Sequence, residues 1–231
     1  VPFELFGSNG NPALTAQKMW EGIDLSIKAW TSHDGPFNFE GDFIHKRQIN
    51  IWPRPYQQPH PPIWCTGGGD PVHACQVIER GFTYAMFLTP YKEIRKMFDI
   101  CKSYCRDNGL PPPPPEKFAY MPLVYVGDSE EDAARGAEAL SWFLTSGKTE
   151  PQFFNPPGYS PVGLNVRVLK GEFQSRTTEI RARGLDYQID QGVIIAGTPD
   201  QVVQQIEQLN ERVGGFGQLL MMMQAGFLSH E

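Results

Sequence analysis

Apolar residues return along this chain in two alternating rhythms. Ala16, Trp20, Ile23, Ile27 and Trp30 fall three or four apart, the spacing of one helix face. They predict a helix from about Pro12 to Thr31, with Pro12 in its first turn. A short β-type run, Ile63–Thr66, then predicts a buried strand. A helix over Pro71–Arg80 follows, closed by Gly81, and then a strand over Phe82–Leu88. In the next helix, Tyr91–Asn108, residues Ile94, Met97, Phe98, Cys101 and Tyr104 share a face, and Gly109 ends it. Phe118–Val126 predicts another strand. Asp128-Ser129-Glu130-Glu131 opens a helix to about Thr145 with capping and acidic residues. Gly192–Ala196 reads as a strand, Gly197-Thr198-Pro199-Asp200 opens a helix through Arg212, and Phe216–Gln224 is a final strand.

Three stretches interrupt the rhythm. Residues 1–11 read as a Gly/Asn-rich loop. Residues 32–61, with prolines at 36, 53, 55, 59 and 61, read as a long surface connection with strand-like pieces at Asp42–Ile44 and Ile49–Trp52. Residues 149–191 are rich in proline, aromatics and basic residues, among them Phe153, Phe154, Tyr159, Arg167, Lys170, Arg176, Arg181 and Arg183. A loop of that length is usually functional or mobile, so it is expected to be a lid, a solvated decoration or an oligomer contact. Pro111–Pro115 form a stiff spacer.

Four main strands, each followed by a helix, and a final strand imply an α/β fold with a parallel sheet. The options are an open doubly wound sheet or part of a (β/α)8 TIM-type barrel, which takes eight strands and about 250 residues. The expectation is one domain over 1–231, a partial barrel of about four βα units, with an insertion at about 149–191. The chain opens on Val1, which reads as the start of a piece of something longer.

Composition narrows the function. The chain has 231 residues, 40% hydrophobic and 20% charged, with net charge −6. No basic footprint suggests nucleic acid, and no apolar run is long enough for a bilayer. No signal peptide is visible, so reduced thiols at Cys65, Cys75, Cys101 and Cys105 and a cytoplasmic location are expected. The histidines, His33, His45, His60, His73 and His230, are scattered, and no spacing matches a zinc site; no metal is expected.

The candidate chemistry is a corner, Thr66-Gly67-Gly68-Gly69-Asp70, between a strand and a helix. Glycines let a phosphate reach backbone N–H groups, and a helix start adds partial positive charge. The same residues also suit a plain turn capped by Asp70 with Pro71 at the first helical position. Asp70 would repel a dianion unless its carboxylate turns to cap its own helix. Gly197-Thr198-Pro199-Asp200 reads as plain capping, with a second anion site as the other option. Met221-Met222-Met223 reads as core, with an apolar wall beside a ligand as the other option. No triad, nucleophile elbow or paired carboxylates stand out, so no catalytic residue is assigned.

Several segments in order resemble the bacterial luciferase-like flavin monooxygenases: "FELFGSNG" with "KMWEGIDLSIKAWT", "FNFEGDFIHKRQINIWPRPYQQPHPPIW", "CTGGGDPVHACQVIERGFTYAM", "VYVGDSEEDAARGA" and "GVIIAGTPDQVVQQIEQL". The resemblance implies a TIM-like barrel that binds FMN at its C-terminal face, with the phosphate near Thr66, Gly67, Gly68, Gly69 and Asp70. The family usually has a small hydroxyl where Asp70 stands. It further implies that Val1 aligns after the fourth barrel strand, so catalytic residues would lie upstream. The activity so implied is oxygenation of a small organic substrate by reduced FMN and O2, with a flavin reductase as a possible supplier and a homo-oligomer as the expected assembly. Within the same fold the rival is deazaflavin-dependent hydride transfer. The rival of a different class is a non-catalytic flavin-binding or folding-incompetent remnant, and a third option is a sugar-phosphate barrel enzyme using the same glycine loop.

Overall fold

A computed structural model describes residues 14–67, 69–146, 166, 170 and 176–223, with backbone alone at 176–178. The expectation is one domain over 1–231; the packing divides the chain into two compact units, residues 1–62 with 149–173 and residues 63–148 with 174–231.

In the first unit the predicted helix is present as α1, Thr15–Thr31, burying Trp20 and Ala29. The strand-like pieces lie elsewhere than expected. The hairpin is β1, Phe37–Glu40, antiparallel to β2, His45–Ile49. Phe37 and Phe39 alternate with polar residues in β1, and the Lys28 ammonium lies 4.8 and 6.0 Å from their ring centroids. The turn between the strands is held by one side chain. The Glu21 carboxylate accepts the N–H groups of Asp42, Phe43 and Ile44 at 2.9, 3.0 and 2.6 Å.

The second unit is α/β. Strands β3 (Trp64–Thr66), β4 (Thr83–Phe87), β5 (Phe118–Met121) and β8 (Gln218–Leu219) form one parallel sheet in that order. The register Thr66↔Ala85↔Ala119↔Gln218 runs straight across it. Between them come α2 (Pro71–Glu79) and α3 (Tyr91–Asp107). α3 buries Ile94, Met97, Phe98, Cys101 and Cys105; the stripe ends on Cys105, and Tyr104 is half-buried. Phe98 packs on Phe118 with centroids 4.4 Å apart.

The single strand predicted over Phe118–Val126 is two. Pro122 has no N–H to give a ladder, and the chain passes there from β5 to β6, Leu123–Val126, which pairs in parallel with β7, Ile194–Gly197. Helix α4, Glu130–Ser146, packs on this pair. Helix α5, Arg176–Asp190, corrects the expected loop: the end of the 149–191 stretch is helical, bent at Gly184 with φ 76°. The rest of that stretch, apart from residues 166, 170 and 191, lies outside the described residues. Leu123, Leu140, Leu144, Ile180, Val193 and Ile194 form the core there. Helix α6, Pro199–Val213, packs on α3 and β7. The final strand is shorter than predicted; beyond β8, Met222 makes one parallel bridge to Leu123.

Candidate functional site

The corner between β3 and α2 is built from the strand outward. Trp64–Thr66 pair with Thr83–Ala85, and the Gly67 N–H extends the ladder to the Ala85 carbonyl at 3.0 Å. Gly67 is buried, and a Cβ there would lie 2.4 Å from the Tyr84 ring. Only hydrogen fits, because Tyr84 fills that space. Gly69 has φ +92°, a left-handed conformation that glycine adopts at little cost. Gly68 lies outside the described residues.

Asp70 then caps α2. Its carboxylate accepts the Val72 N–H at 3.0 Å, its carbonyl accepts from Ala74 at 3.1 Å, and Pro71 occupies the first helical position. The carboxylate is thus turned onto its own helix, and one of the helix-terminal N–H groups is already used. Thr66, at the strand end, is exposed.

A histidine belongs to this corner that sequence reading left among the scattered five. His73, two residues after Pro71, reaches back so that Nε2 lies 3.2 Å from the Thr66 carbonyl. A carbonyl only accepts, so Nε2 carries the proton in this contact. The ring stands edge-on to Tyr84, centroids 6.4 Å apart. The available signal was position: the third residue of a helix points back over its own start.

The second glycine corner is closed by side chains. The Thr198 N–H donates to Gln201 Oε1 at 2.9 Å, and Gln201 Nε2 donates to Glu130 at 3.1 Å. Capping explains it without a ligand.

All four cysteines are free thiols. Burial pushes each thiol up, Cys101 to about 12. They stay protonated at neutral pH and are poor nucleophiles. Tyr120, fully buried, sets its hydroxyl 3.0 Å from the Thr89 carbonyl and 2.9 Å from that of Gly192, a structural tie across the sheet. Met222 packs in the core, while Met221 and Met223 are each half exposed at 50%. No helix among the described residues is long and apolar enough to cross a membrane.

Comparison with known proteins gives these residues a context. The luciferase-like monooxygenase family model matches residues 1–215. No curated protein sequence matches the chain. Among solved structures, monooxygenase RslO1 from Streptomyces bottropensis is similar with TM-score 0.66 at 17% identity, over 99% of this chain and 60% of that one. The oxygenating constituent of 3,6-diketocamphane monooxygenase from Pseudomonas putida, solved with FMN, is similar with TM-score 0.56 at 18% identity, over 88% and 55%. The coenzyme F420-dependent tetrahydromethanopterin reductase from Methanopyrus kandleri is similar with TM-score 0.57 at 16% identity, over 91% and 57%. The chain therefore spans 55–60% of the length of these structures, and shares their α/β fold.

Proposed function

The chain belongs to the luciferase-like monooxygenase family, and from that premise we propose that the β3–α2 corner holds the phosphate of reduced FMN in an enzyme that oxygenates a small organic substrate with O2. One observation carries the assignment to this corner. Asp70 spends its carboxylate on the Val72 N–H, so the acidic residue that would repel a phosphate is engaged as a cap. Gly69 in its left-handed turn and exposed Thr66 then leave main chain and a hydroxyl within reach of a ligand. These residues fit a phosphate group of the kind helix starts accept.

Reduced FMN would supply the electrons for oxygen transfer. The chain's own part is to bind and to shield. Thr66, Gly68, Gly69 and the main chain of Asp70 would fix the phosphate end, while Gly67, whose N–H is already given to the Ala85 carbonyl, and His73 brace the strand terminus. Phe87, Leu220 and Met221, 45%, 38% and 50% exposed, lie at or beyond the C-terminal ends of β4 and β8, and would offer an apolar rim that keeps water from the substrate. Active sites of parallel barrels lie at that end of the strands.

Deazaflavin-dependent hydride transfer is the second reading. It is supported by the similarity, at nearly equal TM-scores, to an FMN complex and to an F420-dependent reductase. Anaerobic titration with reduced FMN and with a reduced deazaflavin, followed by absorbance, separates them. FMN bound at least tenfold more tightly supports the oxygenase. The reverse order supports hydride transfer. A chain that binds neither overturns both and leaves the remnant.

A further inference from the structure

The register of the parallel sheet sorts its residues by face. Phe118 packs on Phe98 of α3, so the row Cys65, Tyr84 and Phe118 turns toward the helices. The row Met86, Tyr120 and Leu219, two residues further along, turns the same way. Alternate residues take the opposite face. There Thr66, Ala85, Ala119 and Gln218 form one row across the sheet. The next row toward the C-terminal ends begins with Phe87 and Met121, paired in register. Leu220 extends it, because its N–H continues the ladder to the Tyr120 carbonyl at 2.9 Å.

Phe87, Met121 and Leu220 thus make an apolar strip across three neighbouring strands, about 10 Å wide at the usual strand spacing. Phe87 and Leu220 are exposed and Met121 is half-buried, while Ala85 and Ala119 beneath them are buried. Charge is missing here. No Asp, Glu, Lys or Arg occurs in residues 81–91, 118–127 or 214–229, which hold β4, β5 and β8 and the chain leaving each of them. Gln218, in the row beneath, donates its side-chain amide to the Glu116 carbonyl at 2.9 Å. An ionised group laid on the strip would give up its water and meet no counter-charge among the described residues of this face, which is costly. A neutral ring or alkyl group would gain from the same burial.

We propose that Phe87, Met121 and Leu220 set the specificity of the site for a neutral, apolar substrate about the size of one or two rings, and select against carboxylates and sulfonates of the same shape. The inference rests on the reading of the β3–α2 corner as the cofactor's phosphate site. Thr66, at the end of β3, shares this face of the sheet with the strip, and β4 is the strand beside it. The strip therefore starts about 5 Å from the strand that leads into the corner, at the strand-end side where parallel barrels work.

Two probes of matched shape test it: 2-acetylnaphthalene, a neutral ketone, and 2-naphthoate, a carboxylate. Each is titrated calorimetrically into the 231-residue chain with and without saturating FMN, and FMN affinity is measured alongside. The ketone should bind at least about tenfold more tightly than the carboxylate. Leu220→Lys, which places a cation at an exposed position of the strip, should tighten naphthoate and weaken the ketone, so that the preference falls by at least about tenfold. Phe87→Ser should weaken the ketone with an unchanged circular dichroism spectrum. Val203→Lys, at an exposed apolar position on α6 outside the strip, should change neither probe. FMN bound while the two probes bind equally, or a ketone preference that Leu220→Lys leaves in place, overturns the specificity proposal and spares the flavin reading. A chain that binds no FMN overturns that reading and the strip's role with it.

Discussion

Two corners of this chain share nearly one script and differ in what they leave open. Each ends a parallel strand near glycine and starts a helix with a capping residue followed by proline: Asp70-Pro71 before α2, Thr198-Pro199 before α6. At the second corner side chains have taken the space. Gln201 accepts the Thr198 N–H at 2.9 Å and donates to Glu130 at 3.1 Å, and a Cβ on Gly197 would lie 2.7 Å from the Gln201 Cβ. At the first corner one short carboxylate caps the helix, Gly69 turns the chain with φ +92°, and Thr66 faces solvent. Strand, glycine, cap and proline spell a helix start in both. Whether a ligand can use it depends on how many N–H groups and how much space the neighbouring side chains have consumed.

The largest expected effect breaks the scaffold under the first corner. Gly67→Val drives a side chain into the Tyr84 ring and should cost about 1–3 kcal/mol, as overpacking does, read from urea unfolding. A loss below roughly 0.5 kcal/mol, the level of ordinary surface changes, would mean that Tyr84 does not dictate the glycine. Next, Asp70→Ala removes the α2 cap and should cost about 1 kcal/mol, while Asp70→Ser keeps a capping oxygen and should cost almost nothing. Equal losses for the two would show that the carboxylate is not acting as a cap. At the closed corner, Gln201→Ala gives up two hydrogen bonds at exposed positions. It should cost about 0.5–1.5 kcal/mol and leave FMN affinity unchanged; a fall in affinity would erase the distinction between the corners.

Helices with an unbroken apolar stripe were legible from sequence, α3 above all, because burial of Ile94, Met97, Phe98 and Cys101 repeats every turn. Glycine and proline punctuation marked both corners and the Asp70 cap. What escaped had local causes. α5 was hidden because Gly184 breaks the helix, so Ile180 and Leu185 do not share one continuous period. The β5–β6 division was spelled by Pro122 but masked by apolar residues on both sides. β2, His-Lys-Arg-Gln-Ile, is exposed along most of its length and has no hydrophobic alternation to read. β1 is not legible in sequence because Phe37 and Phe39 offer just two apolar positions, too few to set a period. His73 does not stand out from the five dispersed histidines in sequence because its contact with Thr66 follows from helix geometry after the turn.

The central claim is that the β3–α2 corner grips a phosphate despite Asp70. Parallel titrations of the wild-type chain and Asp70→Ser with FMN and with riboflavin, which lacks the phosphate, test it most directly. FMN should bind the wild type at least tenfold more tightly than riboflavin, about 1.4 kcal/mol. Removing the carboxylate's charge should tighten FMN a further three- to tenfold, on the order of 1 kcal/mol for one exposed charge near a dianion, and leave riboflavin unmoved. Equal affinities for the two flavins in both proteins would contradict the assignment and return the corner to a capped turn.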